Sequence, residues 1–221
     1  MSVNGSSQDS HDQELPRSSL NLNGSAPLGL LLVISGPAGV GKDTVWQAAS
    51  ASLPTFAKAI TCTTRPQRPA EVHGVHYYFV SDEEFNRLIR EDQLLEWAYV
   101  HDYRYGVPAA SVLERLAKGL DVVCVIDVQG ARRIRALFPN ALLVFLKPPE
   151  GREAEVLKRR MEERGTTDDA EVERRLESAV REMAQTQLYD YEIVNDEIES
   201  TARRLCEIVA QEKRKRIEDR G

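Results

Sequence analysis

The sequence predicts an α/β fold with a parallel sheet covered by helices on both faces. Two observations predict it. Short apolar runs rich in β-branched residues alternate with longer segments of helical periodicity, and the first run passes through a Gly-rich loop straight into a helical pattern. Its apolar letters are continuous, as a strand buried on both faces requires.

The elements follow in order. Residues 1–27, "MSVNGSSQDSHDQELPRSSLNLNGSAP", are rich in Ser, Asn, Gly and Pro and read as a disordered tail. They lack an apolar signal core, and Asp9, Asp12 and Glu14 argue against an acid-poor transit peptide. Residues 30–35 form the first strand. Helical sequence runs from Lys42 to about residue 53, stopped by Pro54, and residues 57–63 read as one further strand. "TTRPQRPAEVHGVHYYF", stiffened by Pro66 and Pro69, is a shaped loop ending in a short strand. Ser81 with Glu84 three residues later makes a capping box, opening a helix to about residue 91. "LLEWAYVHDYRYG" is aromatic and strand-like, and Pro108 starts another helix. The block from about 62 to 112 therefore reads as a small mixed α/β subdomain inserted in the core.

The core resumes with a strand over 121–127, a helix over 129–137 and a strand over 141–146. Two highly charged helices, near 151–163 and 170–187, flank "ERGTTDDAE". Tyr191–Val194 is a short strand, and a final amphipathic helix spans Ile198–Glu218 with a charged end over 213–221. There is no internal repeat.

The totals bound the function. A chain of 221 residues with 42% hydrophobic content fits one moderate domain with a sizeable core. A net charge of -6 argues against general nucleic-acid binding, and no apolar stretch is long enough to cross a membrane. Three cysteines, odd in number and widely spaced, match neither a disulfide framework nor a zinc pattern. With Cys62 and Cys124 in strand-like runs, they read as small buried hydrophobes in a reducing compartment. A cytoplasmic location follows by elimination.

"GPAGVGK" carries the first chemistry. The pattern Gly36-x4-Gly41-Lys42 would arise by accident in about one chain in twenty of this length, so spacing alone is a modest signal. Its place between a strand and a helix turns it into a phosphate cradle, where backbone N–H groups converge on an anion. Lys42 would reach the outer phosphates, and Thr44 can donate its hydroxyl. Asp43 stands where such loops normally carry a Ser or Thr that holds magnesium. Either the carboxylate meets the magnesium ion, directly or through water, or it points away and caps the helix.

The loop of residues 63–79 carries a second basic cluster, Arg65 and Arg68 followed by Tyr77 and Tyr78. Guanidinium forks and phenolic hydroxyls suit phosphate oxygens, although two arginines on a loop are more often simply solvated.

"GPAGVGK", "TTRPQRPAEVHGVHYYF", "LLEWA", "YRYG", "DVQGA", "RRMEERGT", "RRLESAVREM" and "YDYEIVND" stand in the order and spacing of guanylate kinases, which the chain resembles from about residue 30 to 210. The resemblance implies a P-loop nucleoside monophosphate kinase fold: core over 28–61, 113–158 and 176–212, GMP-binding subdomain over 62–112 and helical lid over 159–175. It implies transfer of the γ-phosphoryl group of ATP to GMP, and to dGMP, with magnesium. Its substrates are then two small molecules, with no nucleic-acid or membrane partner, and the protein is a monomer or small homo-oligomer.

By position, Gly36, Pro37, Ala38, Gly39, Val40, Gly41, Lys42, Asp43 and Thr44 would cradle ATP, with Asn195 near the adenine. Arg65, Arg68, Tyr77 and Tyr105 would grip the GMP phosphate, with Thr61 and Gly106 nearby and Glu71 orienting the arginines or touching the nucleotide. Glu96 and Asp127 would face the guanine, whose N1–H and 2-amino group are adjacent donors matched to a carboxylate. Arg160, Arg164 and Arg175 would swing over the triphosphate. Two further departures accompany Asp43. Val125 stands where many relatives have the first Asp of Asp-x-Asp, and Val107 stands where a Ser or Thr usually helps read the base. Two other readings use the same scaffold: a kinase for another small molecule, such as a ribose bisphosphate, and a non-catalytic guanylate-kinase-like binding module.

Overall fold

The computed structural model describes residues 29–100, 102–163 and 169–219; the expected tail over 1–27 lies outside them. Five strands form one parallel sheet: β1 (Leu31–Ser35), β2 (Phe56–Lys58), β7 (Asp121–Val125), β8 (Leu142–Lys147) and β9 (Tyr191–Val194), in the order β2-β7-β1-β8-β9. Four others form a second, mixed sheet: β3 (Cys62–Thr63), β4 (Tyr78–Phe79), β5 (Leu94–Val100) and β6 (Tyr103–Pro108), in the order β4-β3-β6-β5.

Both faces of the parallel sheet are dry because consecutive side chains of a strand point to opposite sides. Leu32, Ile34, Val123, Val144 and Leu146 face one core, built with α1 (Lys42–Ser50), α5 (Glu153–Glu163), α6 (Asp169–Met183) and α7 (Ile198–Glu218). Leu31, Val33, Val122, Cys124 and Leu143 face another, under α3 (Ala109–Ala117) and α4 (Val128–Leu137). Each such side chain contributes roughly 1.5–3 kcal/mol when fully buried. A third, small core of Cys62, Phe85 and Leu94 holds the mixed sheet against α2 (Asp82–Arg90). Ser81 caps α2 as its sequence signature requires, accepting from the Glu84 amide at 3.2 Å. No helix among the described residues is long and apolar enough to cross a membrane.

Three boundaries differ from the sequence reading. The strand expected over 57–63 is two strands in two sheets: Phe56–Lys58 pairs with β7, and Cys62–Thr63 pairs with β4 and β6. Lys58 and Thr61 are too little to break the run in the sequence, so the change of partner marks the switch. The strand expected to reach 127 stops at Val125 because the Asp127 carboxylate caps α4, accepting from the Gly130 amide at 2.8 Å. The helix expected over 170–187 ends at Met183, and a short 3-10 turn, Thr186–Leu188, carries the chain to β9.

One buried acid ties the sheet to its last helix. Asp121 Oδ1 accepts the Leu30 amide at 2.9 Å, and Oδ2 accepts the Thr55 hydroxyl at 2.7 Å and the Lys213 ammonium. Burial pushes its carboxyl up, but these donors outweigh burial and leave it below the usual carboxylate range. Replacing Asp121 with Ala should cost about 2–3 kcal/mol in urea unfolding, since the buried Leu30 amide loses its acceptor. A depressed pKa contributes stability above the unfolded value and loses it as pH falls through the folded one. The gap between wild type and Asp121→Ala should therefore narrow in acid.

Candidate active site

A cavity of about 1030 Å3 opens at the C-terminal edge of the parallel sheet, where β1, β2 and β7 deliver the chain into loops. At one end lies the loop between β1 and α1. Gly36, at φ 142°, passes so close to β8 that a Cβ there would stand 2.2 Å from the Leu146 carbonyl oxygen. Gly41, at φ 99°, turns the chain into α1. Lys42 folds back across its own loop and donates to the Gly36 carbonyl at 2.7 Å and the Pro37 carbonyl at 3.1 Å. Ala38, Gly39, Gly41, Lys42 and Asp43 line the cavity, whereas Val40 is buried and Thr44 is exposed away from the lining.

Asn195 and Arg160, both expected at the nucleotide, brace this loop from beneath. Asn195, fully buried, donates its amide to the Val40 carbonyl at 2.6 Å. Arg160 donates to the same carbonyl at 2.8 Å and to the Asn195 carbonyl at 3.2 Å. Arg175 does reach the cavity wall, paired there with Glu171 on α6. Arg164 lies outside the described residues.

Across the cavity stands the Pro-stiffened loop. Glu71 takes both of its oxygens to one Arg65 nitrogen, at 2.7 and 2.9 Å. Arg65 also donates to the Tyr105 hydroxyl at 3.2 Å and to the Pro66 carbonyl at 2.7 Å, and its guanidinium lies 5.6 Å from the Tyr77 ring centre. Burial opposes ionisation of Glu71, yet Arg65 and the Arg68 amide outweigh it and hold the carboxyl below its usual range. Arg68 is exposed on the cavity rim, and Thr61 and Tyr77 complete this wall. Burial drives the Tyr77 hydroxyl upward and keeps it protonated.

At the inner end, β5 presents Glu96, only 3% exposed. Burial, then the neighbouring Asp127 charge, pushes its carboxyl up to about 8, against a smaller opposing pull from Arg133. Asp127 is raised too, chiefly by burial, while its bond to the Gly130 amide and the Lys42 charge pull the other way. Val107 pairs with Glu96 in register but is fully buried in the core with Leu95 and Val112, off the cavity lining. Gly106 packs against Leu94 and Phe85 and is likewise off the lining.

The sequence reading did not single out two positions. Lys58 ends β2 on the cavity wall with its ammonium 2.7 Å from Asp43 Oδ1; its one signal was a lone cation in an apolar run. Gly130, in the first turn of α4, leaves room for Glu96: a Cβ there would sit 2.6 Å from Glu96 Oε2.

Comparison with known proteins finds the same pattern. A family model described as guanylate kinase matches residues 29–212. The guanylate kinase of Symbiobacterium thermophilum is 43% identical over 191 residues, 86% of this chain and 89% of the relative. That of Streptomyces coelicolor is 47% identical over 175 residues, 79% and 87% of the two chains. The crystal structure of guanylate kinase from Anaplasma phagocytophilum superposes with a TM-score of 0.69 at 34% identity, covering 84% of this chain and 87% of that one.

Gly130 gives a direct test of how tightly the inner wall is built. In an open helix, Gly→Ala stabilises by up to about 1 kcal/mol. Here Gly130→Ala should instead lower the thermal midpoint, because the new methyl displaces a buried carboxyl that Ile126, 3.2 Å from the same point, also confines.

Proposed function

The chain belongs to the guanylate kinase family and phosphorylates GMP at the expense of ATP, and we propose that it does so by seating the two nucleotides end to end in the cavity described above. The observation that carries this reading is that one cavity has a phosphate loop at one end, an ordered arginine on its far wall and a dry carboxyl at its inner end. Small mixed sheet and parallel sheet then act as acceptor unit and core.

ATP lies on the loop from Gly36 to Thr44, its phosphates met by backbone N–H groups and by Lys42 swung off the Gly36 carbonyl. The GMP phosphate meets Arg65 and Arg68 with the Tyr77 and Tyr105 hydroxyls. Arg65 is already held by Glu71, so it is oriented before the ligand arrives. No covalent intermediate is required: an oxygen of the GMP phosphate attacks the γ-phosphorus in line while the bond to the ADP oxygen breaks. Catalysis then consists of aligning two anions and offsetting their repulsion, with Lys42, Arg65 and Arg175 supplying positive charge. The bracing of Val40 by Arg160 and Asn195 keeps the loop in shape while this happens.

Magnesium fits this donor set. No group of three or more His, Cys, Asp or Glu side chains among the described residues could hold a metal alone. Magnesium, however, is ordinarily held by substrate phosphates, waters and one or two carboxylates. Asp43, half-exposed on the cavity wall one residue beyond Lys42, offers one. When bound, the ion would offset charge on the phosphate oxygens. A cytoplasmic setting suits the chain, whose three cysteines are free thiols; burial drives those of Cys62 and Cys124 upward, far from the reactive thiolate form.

Glu96 reads the base. Guanine N1–H and the 2-amino group donate to a carboxylate, whereas adenine, with an acceptor at N1, is met only by the protonated acid and forgoes those charge-assisted bonds, at a cost of about 1–3 kcal/mol. A coupled assay of ADP release should rank GMP and dGMP above IMP and all three far above AMP. AMP as the best acceptor would end the reading.

Protonation provides a second check. With its pKa near 8, Glu96 is mostly protonated in the free protein at neutral pH. Guanine donors favour the carboxylate, so GMP binding at pH 7 should release about one proton. Calorimetry in buffers of different ionisation heat measures this release, and Glu96→Gln should remove it. A raised carboxyl adds stability below its unfolded pKa and loses it as pH rises through the folded value. Ligand-free protein should therefore weaken between about pH 5 and 8, and less so in Glu96→Gln.

A further inference from the structure

Asp43 has a partner that the phosphate-transfer reading does not use. Its Oδ1 lies 2.7 Å from Lys58 Nζ, with the Asp side chain 52% exposed and the Lys side chain 29% exposed. Both line the cavity, Asp43 from the first turn of α1 and Lys58 from the last residue of β2, in register with Val123. The pair therefore spans from the phosphate loop to the edge of the sheet from which the acceptor loop departs.

Its electrostatics are lopsided. An unpaired carboxylate next to Lys42 would face the phosphates of an incoming nucleotide and repel them. A carboxylate with an ammonium at hydrogen-bond distance is close to neutral from outside, and the phosphates meet a dipole. A hydrated divalent ion arriving with the nucleotide then competes with Lys58 for the same oxygens.

We infer that Lys58 is a positioning residue for donor binding: by pairing with Asp43 it masks that carboxylate from metal-free nucleotide and so sets how strongly nucleotide binding depends on the divalent ion. This rests on the reading of Asp43 as the metal-side carboxylate. With Lys58 present, metal-free nucleotide binds without repulsion and the ion adds less. Without Lys58, metal-free nucleotide meets a bare negative charge, and the metal complex gains a ligand that no longer has a competitor. Both changes move the ratio of the two affinities in one direction.

The test is calorimetric titration of the full chain with the non-hydrolysable β,γ-methylene analogue of ATP, once with chelator and once with excess magnesium. The readout is the dissociation constant without metal divided by that with metal. In Lys58→Met, and in Lys58→Gln as a second neutral variant, the ratio should rise by about fivefold, the scale of a half-exposed ion pair. Lys58→Arg, which keeps the cation, should stay near wild type. Asp43→Ala should lower the ratio, and adding Lys58→Met to it should produce no further rise. If both neutral variants keep the wild-type ratio while Asp43→Ala lowers it, Lys58 has no such role and the metal reading of Asp43 stands. If Asp43→Ala leaves the ratio unchanged, that reading falls and the inference falls with it.

Discussion

A backbone can cradle an anion only if its carbonyls are turned away from the anion and satisfied elsewhere, and this constraint organises half of the protein. A trans peptide places its N–H opposite its C=O, so each amide aimed into the cavity needs a carbonyl gripped from behind. Val40 supplies the clearest case: its carbonyl takes donors from Asn195 and Arg160, which frees the Gly41 amide for the other side. Asn195 is itself fixed by its backbone N–H, which donates to the Lys147 carbonyl at the end of β8. Strand β8, the edge strand β9, and helix α5 that carries Arg160 thus serve the loop as much as the core. Gly36 belongs to the same logic, since only a residue without Cβ lets the loop pass over the end of β8.

The two ends of the cavity solve opposite problems. On the acceptor wall, the Arg65 guanidinium is held by Glu71, Tyr105 and the Pro66 carbonyl, so its charge and orientation are fixed during folding. At the inner end, Glu96 has no such cation at hydrogen-bond distance among the described residues and is driven toward its neutral form by burial and by Asp127. A site for phosphate gains from early order because phosphate is always charged. A site for a base gains from being dry, because a wrong base then leaves a polar group stranded. Under the proposed reading, the second arrangement sacrifices some stability of the ligand-free protein for discrimination.

Much of this was legible in the sequence. Strand and helix periodicity, the Ser81 capping box and the Gly-rich loop followed from local rules, because each is decided by neighbours within a few residues. The carboxylates and arginines of the acceptor unit were expected only through the resemblance of the chain to guanylate kinases, since spacing alone favours solvated arginines. What escaped depends on partners far along the chain. The run from 57 to 63 looks like one strand because both sheets want the same residues, and only distant strands decide where it divides. The bracing role of Asn195 and Arg160 was not legible, because nothing local reveals that the Val40 carbonyl, more than a hundred residues earlier, points at them. Lys58 looked incidental until the fold set it beside Asp43.

That last pairing makes sense of two departures from the common family pattern that look unrelated in one dimension. The strand end at Val125, where an acid is usual, sits two residues from Asp127 and shares the cavity wall with Glu96. Both of those carboxyls are already raised by burial, and Glu96 further by its acidic neighbour. A third carboxylate there would push all three toward protonation, since like charges in a dry site cannot ionise together. Valine instead packs against the first core. An acid at position 43 escapes the crowding: it is half-exposed, it lies in the first turn of a helix where the dipole favours negative charge, and it has Lys58 at 2.7 Å. At position 43, unlike at the crowded strand end, solvent, helix and ammonium all lower the cost of a negative charge.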